Sequence, residues 1–168
     1  MTGSRDMSDE ILATMKASAP RRIMGVGMLG SVGSAVLYVA LSSPPEPEWL
    51  VFLLVVGVGA LWSAVRMWQA TEHSIELTHT QLRCSDGTLI AEIEDIDGID
   101  RGFFAFKPSH GFLVRTRSSN GRVWQPGLWW RMGRRIGVGG VTPGAQGKAM
   151  AEILAAILYQ KENGPLPR

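Results

Sequence analysis

The sequence is poor in the residues that form disulfides and metal sites. Of its 168 residues only one is a cysteine, Cys84, and three are histidines. A single cysteine excludes an intramolecular disulfide and leaves too few thiolates for a cysteine-based zinc site. His73, His79 and His110 also lack the HExxH spacing of a zinc protease. We therefore expect no metal and no cofactor.

Two long stretches have no charge at all, from Ile23 to Ser43 and from Trp49 to Val65. At about 1.5 Å per residue, each is long enough as a helix to cross a hydrocarbon core of about 30 Å. This pattern predicts a transmembrane helical hairpin over 22–69, with spans at about 23–42 and 49–68. A cleaved signal peptide fits less well, because the first apolar run begins late and a second follows at once.

The charges that flank the predicted hairpin set its orientation. Residues 42–48 hold three prolines and two glutamates. The basic residues lie on the other side, with Lys16, Arg21 and Arg22 before the first span and Arg66 at the end of the second. Because basic segments stay on the cytoplasmic side, both termini are expected in the cytoplasm and 42–48 outside.

Small residues in the spans predict where helices pack closely. The candidates are Gly27, Gly30, Ser31 and Ser34 in the first span and Gly57 and Ala60 in the second. Two interpretations stay open: packing within the hairpin, or docking onto another membrane protein. Before the spans, Ser8 as a cap and the spacing of Ile11, Leu12 and Met15 predict a short interfacial helix within 1–21, ended by Pro20.

The remainder predicts a small antiparallel β domain over 70–160, a partly closed barrel or sandwich, followed by a flexible tail at 161–168. Short alternating segments are separated by turn signals, including Asp86-Gly87 and "SNG" at 119–121. From Thr142 onward one apolar stripe predicts an amphipathic helix, formed by Met150, Ile153, Leu154, Ile157 and Leu158. The fold class is thus α+β.

Three segments carry a resemblance to a known family: "SIELTHTQLRCSDG", "IEDIDGIDR" and "TPGAQGKAMAEILAAIL". Residues 22–160 resemble small bacterial integral membrane proteins in which a transmembrane hairpin is followed by a PH-like domain. The resemblance implies a PH-like cytoplasmic domain in the cytoplasmic (inner) membrane of a bacterium, with residues 42–48 periplasmic. The segment "GLWWRMGRRIGVGG" departs from the family pattern, so the resemblance implies nothing about a ligand surface there.

The glycines of "RRIGVGGVTPGAQGKAM", residues 134–150, invite comparison with a phosphate-binding loop. Gly147 and Lys148 match that motif, but Thr142 stands at its first glycine and Ala149 at its magnesium-binding hydroxyl. Too little chain follows for the parallel strands of a nucleotide-binding domain. We interpret the glycines instead as sites of close approach, under Trp129 or Trp130.

Charge is divided between two halves of the β domain. Residues 72–100 hold eight acidic residues against Arg83, whereas 101–150 hold nine basic residues and no acidic one. Cross-strand pairing explains part of this division. The stretch 124–135 adds tryptophans to the arginines and predicts a surface that binds a protein partner or anionic lipid, formed by Trp124, Trp129, Trp130, Arg131, Arg134 and Arg135. A membrane tether and modest net charge argue against nucleic acid.

No carboxylate pair, Ser-His or Cys-His arrangement or cofactor fingerprint stands out, so we expect no enzyme, no catalytic residues and no small-molecule substrate. The first hypothesis is a membrane-anchored interaction module, an accessory or assembly subunit of an integral membrane protein complex. The alternative is a module that senses anionic lipid headgroups with the same basic and aromatic surface. A nucleotide-dependent enzyme built on residues 134–148 is a third hypothesis.

Overall fold

The computed structural model describes residues 10–100, 108 and 110–164. This part of the chain contains three α-helices, a single 3₁₀ turn and seven strands in two antiparallel sheets, which confirms the α+β class. The helices are α1 Ala19–Ser42, α2 Pro47–Ala70 and α3 Gly144–Asn163. The strands are β1 Ala13–Lys16, β2 Ser74–Leu77, β3 Gln81–Cys84, β4 Leu89–Glu92, β5 Ile96–Asp100, β6 Phe112–Gln125 and β7 Trp129–Val138.

Helices α1 and α2 are both long and apolar enough to cross a membrane. Each has 24 residues, which at 1.5 Å per residue gives about 36 Å. Only 11% and 17% of their most apolar windows are buried inside the protein, so neither is the core helix of a globular domain. Pro20 and Pro47 lie in the first turns of α1 and α2, where proline costs no helical hydrogen bond. Pro20 therefore starts a helix instead of ending one.

The predicted interfacial helix before the spans is wrong, because residues Ala13–Lys16 form strand β1. This strand pairs antiparallel with β2, with Ala13 opposite Leu77 and Lys16 opposite Ser74. Apolar residues at 11, 12 and 15 fit a helix, but the alternation of buried Met15 with exposed neighbours fits a strand equally well. The free edge of β2 supplies the backbone partners that decide between them. Ser8, the predicted cap, lies outside the described residues.

The helical hairpin is therefore an insertion between two paired strands of one sheet. Two residues join β1 to α1, and three join α2 to β2. Arg21 donates a hydrogen bond to the carbonyl of Thr142 at 2.9 Å, and the amide of Ser18 donates to the carbonyl of Val141 at 2.9 Å. These bonds fix the base of the helices to the loop before α3. We call β1–β7 with α3 the head.

The head packs two sheets and α3 around one core. The sheets have the orders β1-β2-β3-β4 and β5-β6-β7, and among the described residues they close no barrel. The predicted apolar stripe of α3 is confirmed: Met150 and Leu154 are fully buried, while Ile153, Ile157 and Leu158 pack partly buried against the core. The turn at Asp86-Gly87 is also confirmed, since Gly87 has a φ of 87°.

Two predicted boundaries inside the head are wrong. The segment "SNG" at 119–121 is not a turn but part of the 14-residue strand β6, which crosses it with register shifts against β7. The turn between these strands lies instead at 126–128. Residues Ile93–Asp95 form a 3₁₀ turn between β4 and β5, where the chain passes from one sheet to the other. Helix α3 continues to Asn163, so the predicted tail begins too early, and 165–168 lie outside the described residues.

We predict that Met15→Ala destabilises the head by about 2–5 kcal/mol, because it deletes a large buried side chain from the core. Met15 is fully buried although it precedes the helices. Thr14→Ala, on the exposed side of the same strand, should cost no more than about 0.5 kcal/mol. Denaturant unfolding of the full chain in detergent measures both. Equal effects would show that β1 does not belong to the core.

Candidate functional site

Strands β6 and β7 form a long hairpin whose turn rests on the end of α2. Gly127 in this turn has a φ of 82°, and a Cβ there would lie 3.1 Å from Thr71 and 3.2 Å from Met67. Glycine is thus required both by the backbone conformation and by the close approach of the helix. The turn is held at the point where α2 leaves the predicted span.

The three tryptophans predicted for the binding surface occupy three different environments. Trp129 is 1% exposed and belongs to the core, so its assignment to the surface is wrong. Trp130 is half-buried, with its indole ring lying directly over Gly137. Trp124 is 49% exposed and stacks on Trp62 of α2, with ring centroids 6.0 Å apart. Of the three, only Trp124 is broadly accessible.

Arg131 lines the outer groove of the β6–β7 hairpin, but its guanidinium is engaged in hydrogen bonds within the head. Its guanidinium donates hydrogen bonds to the carbonyls of Gly121 at 3.1 Å, Leu89 at 3.2 Å and Ile90 at 3.0 Å. Leu89 and Ile90 lie in β4, the last strand of its sheet among the described residues, so Arg131 ties one sheet to the other. This bridging is invisible in the sequence, because it depends on how the two sheets meet.

Arg134 and Arg135 are exposed, as predicted, and neither has a hydrogen bond or ion pair within the described part of the chain. Arg122 on β6 shares these properties, although it is not among the residues predicted for the binding surface. The sequence could have indicated Arg122, because it lies two residues before Trp124. These three arginines carry charge that no described acidic side chain neutralises.

A groove of about 920 Å³ opens on the outer side of the β6–β7 hairpin. Its wall is mainly apolar, and it includes Trp124, Trp130 and Met132, the last of which is 57% exposed. Arg122 and Arg135 also line it. We call this the β6–β7 groove. Apolar walls with a few charged groups are typical of sites for amphipathic ligands.

Elsewhere on this sheet the charge division is partly resolved by ion pairs. Asp97 accepts from Arg115 at 3.2 Å and lies 4.0 Å from Arg117. In the other sheet Glu76 pairs with Arg83 at 3.1 Å, which is a pair within the acidic half itself. A hydrogen bond from the Ser118 side chain lowers the pKa of Asp95 and keeps it ionised. Cross-strand complementarity therefore accounts for Arg115 and Arg117 but not for the arginines of the β6–β7 groove.

The seam between α1 and α2 is centred on Gly33 and Gly57. A Cβ at Gly33 would lie 3.1 Å from the Gly57 carbonyl oxygen and 3.0 Å from Leu61. Of the six predicted packing residues, Gly57 is buried in this seam and Ala60 is half-buried. Cβ atoms at Gly27 and Gly30 would meet nothing within 4 Å, and Ser31 and Ser34 are exposed. The sequence missed Gly33, because spacing alone does not fix how a helix is rotated towards its neighbour.

The glycine-rich loop serves close packing. The indole of Trp130 occupies the space where Gly137 would carry a side chain, as the sequence analysis predicted for one of two tryptophans. Gly147 lies against the backbone carbonyl of His110, and Gly140 against the backbone of Gly127. Lys148 is exposed on α3, with its Nζ 3.9 Å from a carboxylate oxygen of Glu152. The loop therefore joins the hairpin turn to α3.

Two kinds of reactive group, the thiol and a metal cluster, can be assessed among the described residues. Burial raises the pKa of the Cys84 thiol to about 11, so the thiol is protonated and a weak nucleophile at neutral pH. No three His, Cys, Asp or Glu side chains of the described part come together to hold a metal ion. The nitrogen Nε1 of Trp129 and the hydroxyl of Thr142 are buried without a hydrogen-bond partner.

Comparison with known proteins assigns no family to this chain. No protein-family model, no curated protein and no solved structure matches it. The contacts described above are therefore the basis on which a function is proposed.

We predict that Gly137→Ala destabilises the head by about 1–3 kcal/mol, because the added methyl group overlaps the Trp130 ring and forces it to move. Gly121→Ala lies on the same hairpin, where a Cβ meets nothing within 4 Å, and should be nearly neutral. Thermal unfolding of the full chain, followed by tryptophan fluorescence, compares the two variants. A fully stable Gly137→Ala variant would show that Trp130 is not held against this glycine.

Proposed function

We propose that this chain is a non-enzymatic, membrane-anchored interaction module that serves as an accessory or assembly subunit of a larger protein complex in the cytoplasmic (inner) membrane of a bacterium. The observation that carries the proposal is the outer face of α1. The hairpin uses Gly33 and Gly57 for its own seam and leaves Gly27, Ser31 and Ser34 exposed. Gly30 is half-buried, but a Cβ there would meet nothing within 4 Å. Small residues at such spacing let a second helix approach closely in lipid.

The proposed topology places both helices across the membrane, with both termini and the head in the cytoplasm and residues 42–48 in the periplasm. Its support is the distribution of charge along the helices. Arg21, Arg22 and Arg66 all lie at the ends of α1 and α2 nearest the head, where positive residues are retained on the cytoplasmic side. Glu46 and Glu48 lie at the opposite end of the helix pair.

We further propose that the head is PH-like. Its seven strands in sheets of four and three, followed by an amphipathic helix, support this assignment. One feature differs from the expected order, in which the helical hairpin precedes the whole domain. Here the helical hairpin lies between β1 and β2, so the domain begins before the membrane and is completed after it.

A rigid connection between helices and head suits an assembly subunit. Arg22 lies over the ring of Trp68 at 3.9 Å, donates to the Trp68 carbonyl at 2.9 Å and pairs with Glu72 at 3.1 Å. These contacts join the two helix ends to each other, and the Arg21 bond joins them to the loop before α3. A partner that docks on α1 would therefore also find the head in a fixed orientation.

The outer face of α1 predicts which glycine a partner helix would contact. We expect Gly30→Leu to abolish recovery of partner proteins when the tagged full chain is purified in mild detergent, because leucine prevents close approach to α1. Gly59→Leu is the matched control, since a Cβ at Gly59, as at Gly30, would meet nothing within 4 Å, but Gly59 lies on α2. Recovery of the chain alone from wild-type cells, or equal recovery with both variants, would contradict the proposal.

The topology predicts labelling from the periplasm. We expect Ser43→Cys, in the loop between the helices, to react with a membrane-impermeant maleimide in intact cells, and the buried Cys84 not to interfere. The chain should also remain with the membranes during an alkaline carbonate wash. Extraction by carbonate, or labelling only after lysis, would overturn the proposed insertion.

A further inference from the structure

The β6–β7 hairpin contacts α2 at two different heights. Its turn touches Met67 and Thr71 through Gly127, whereas Trp124 stacks on Trp62. Trp62 precedes Met67 by five residues, which corresponds to about 7 Å along the helix axis. From the turn to Trp124, strand β6 therefore lies alongside α2 in the direction of the predicted span.

Charged residues locate the level of the water boundary on α2. Arg66 is the first charged residue after the uncharged stretch, and Arg22 with Glu72 forms an ion pair further towards the head. Trp62 is one helical turn, about 6 Å, inside Arg66. If α2 spans the membrane as proposed above, Trp124 lies at the level where lipid glycerol groups and headgroups meet the hydrocarbon. Tryptophan favours this layer.

The β6–β7 groove begins at this same tryptophan. Its apolar wall continues from Trp124 to Trp130 and the exposed Met132, while Arg122 and Arg135 add two positive charges with no partner among the described residues. A free inorganic anion would satisfy the arginines but leave the apolar wall exposed. A purely apolar segment would fill the wall but leave the charges unpaired. Only an amphipathic anion meets both requirements.

We propose that the β6–β7 groove binds one anionic phospholipid of the cytoplasmic leaflet. Arg122 and Arg135 bind its phosphate, and Trp124, Trp130 and Met132 contact its glycerol group and the first carbons of an acyl chain. The inference rests on the proposed membrane insertion but not on the protein partner. Its consequence is that the head has a third attachment to the membrane besides α1 and α2, and this attachment depends on lipid charge.

The position of the groove is tested with a fluorescent label on the full chain in lipid nanodiscs. In a Cys84→Ala background, a label on Met132→Cys should be shielded from water and quenched by nitroxide-bearing lipid chains. A label on Tyr159→Cys is the control, because Tyr159 is 56% exposed near the end of α3 remote from the helical hairpin. Equal quenching at both positions, or none at Met132→Cys, overturns the inference.

Lipid selection is tested with two double variants, each of which removes two positive charges from the β5-β6-β7 sheet. Brominated phosphatidylglycerol is titrated against the detergent-solubilised, Met132→Cys-labelled chain, with brominated phosphatidylcholine and inorganic phosphate as comparisons. We expect Arg122→Gln/Arg135→Gln to weaken phosphatidylglycerol binding by about fivefold per arginine, ~25-fold for the pair. Arg115→Gln/Arg117→Gln, whose arginines face Asp97, should leave it nearly unchanged.

Other results of these experiments also decide whether the groove binds lipid. Equal weakening by both double variants, equal binding of the two lipids, or displacement of the lipid by inorganic phosphate overturns the inference. Carbonate extraction of the chain would remove the proposed insertion, and this inference with it. A chain that stays in the membrane and keeps its protein partner, but shows an aqueous label at Met132→Cys, refutes the lipid site alone.

Discussion

The backbone pairing between β1 and β2 is the constraint on which the rest of the structure depends. Lys16 pairs with Ser74, and the two strands continue into α1 and α2 through two- and three-residue connections. Because hydrogen-bonded strands lie about 4.8 Å apart, the helix ends are held side by side. Arg21 and Arg22 then fix them to the head and to each other. If α1 and α2 cross a membrane, the same side of the head therefore always faces the membrane surface.

This constraint gives the basic and aromatic residues different roles. Side chains directed inwards complete the head: Trp129 fills the core, and Arg131 closes the gap between the sheets by binding β4 carbonyls. Those directed outwards, with Trp124 beside α2, form a surface at the level of the proposed membrane boundary. Successive side chains of a strand point to opposite faces. The tryptophans and arginines of this short stretch therefore pack inside the head on one face and line the proposed binding surface on the other.

Several features of the fold and site could be predicted from local sequence. The absence of charge from 23 to 43 predicts a long apolar helix wherever it packs, because hydrocarbon-length helices need only composition and length. The stripe from Met150 to Leu158 is likewise a property of one helix. The glycine under a tryptophan was also foreseen, since a strand rich in glycine indicates a close neighbour. The site was predicted only as a stretch, 124–135, and two of its six predicted residues, Trp129 and Arg131, have structural roles instead.

The sequence by itself determined the two apolar helices, the antiparallel character of the head, its covering helix and the location of unbalanced positive charge, because each depends on neighbours along the chain. Only the tertiary structure decided that residues 13–16 are a strand, that Gly33 forms the seam while Gly30 stays free, and that Trp124 meets Trp62. These outcomes depend on partners distant in sequence: the open edge of β2, the rotation of α1 towards α2, and the path of β6 alongside a helix that ended more than forty residues earlier.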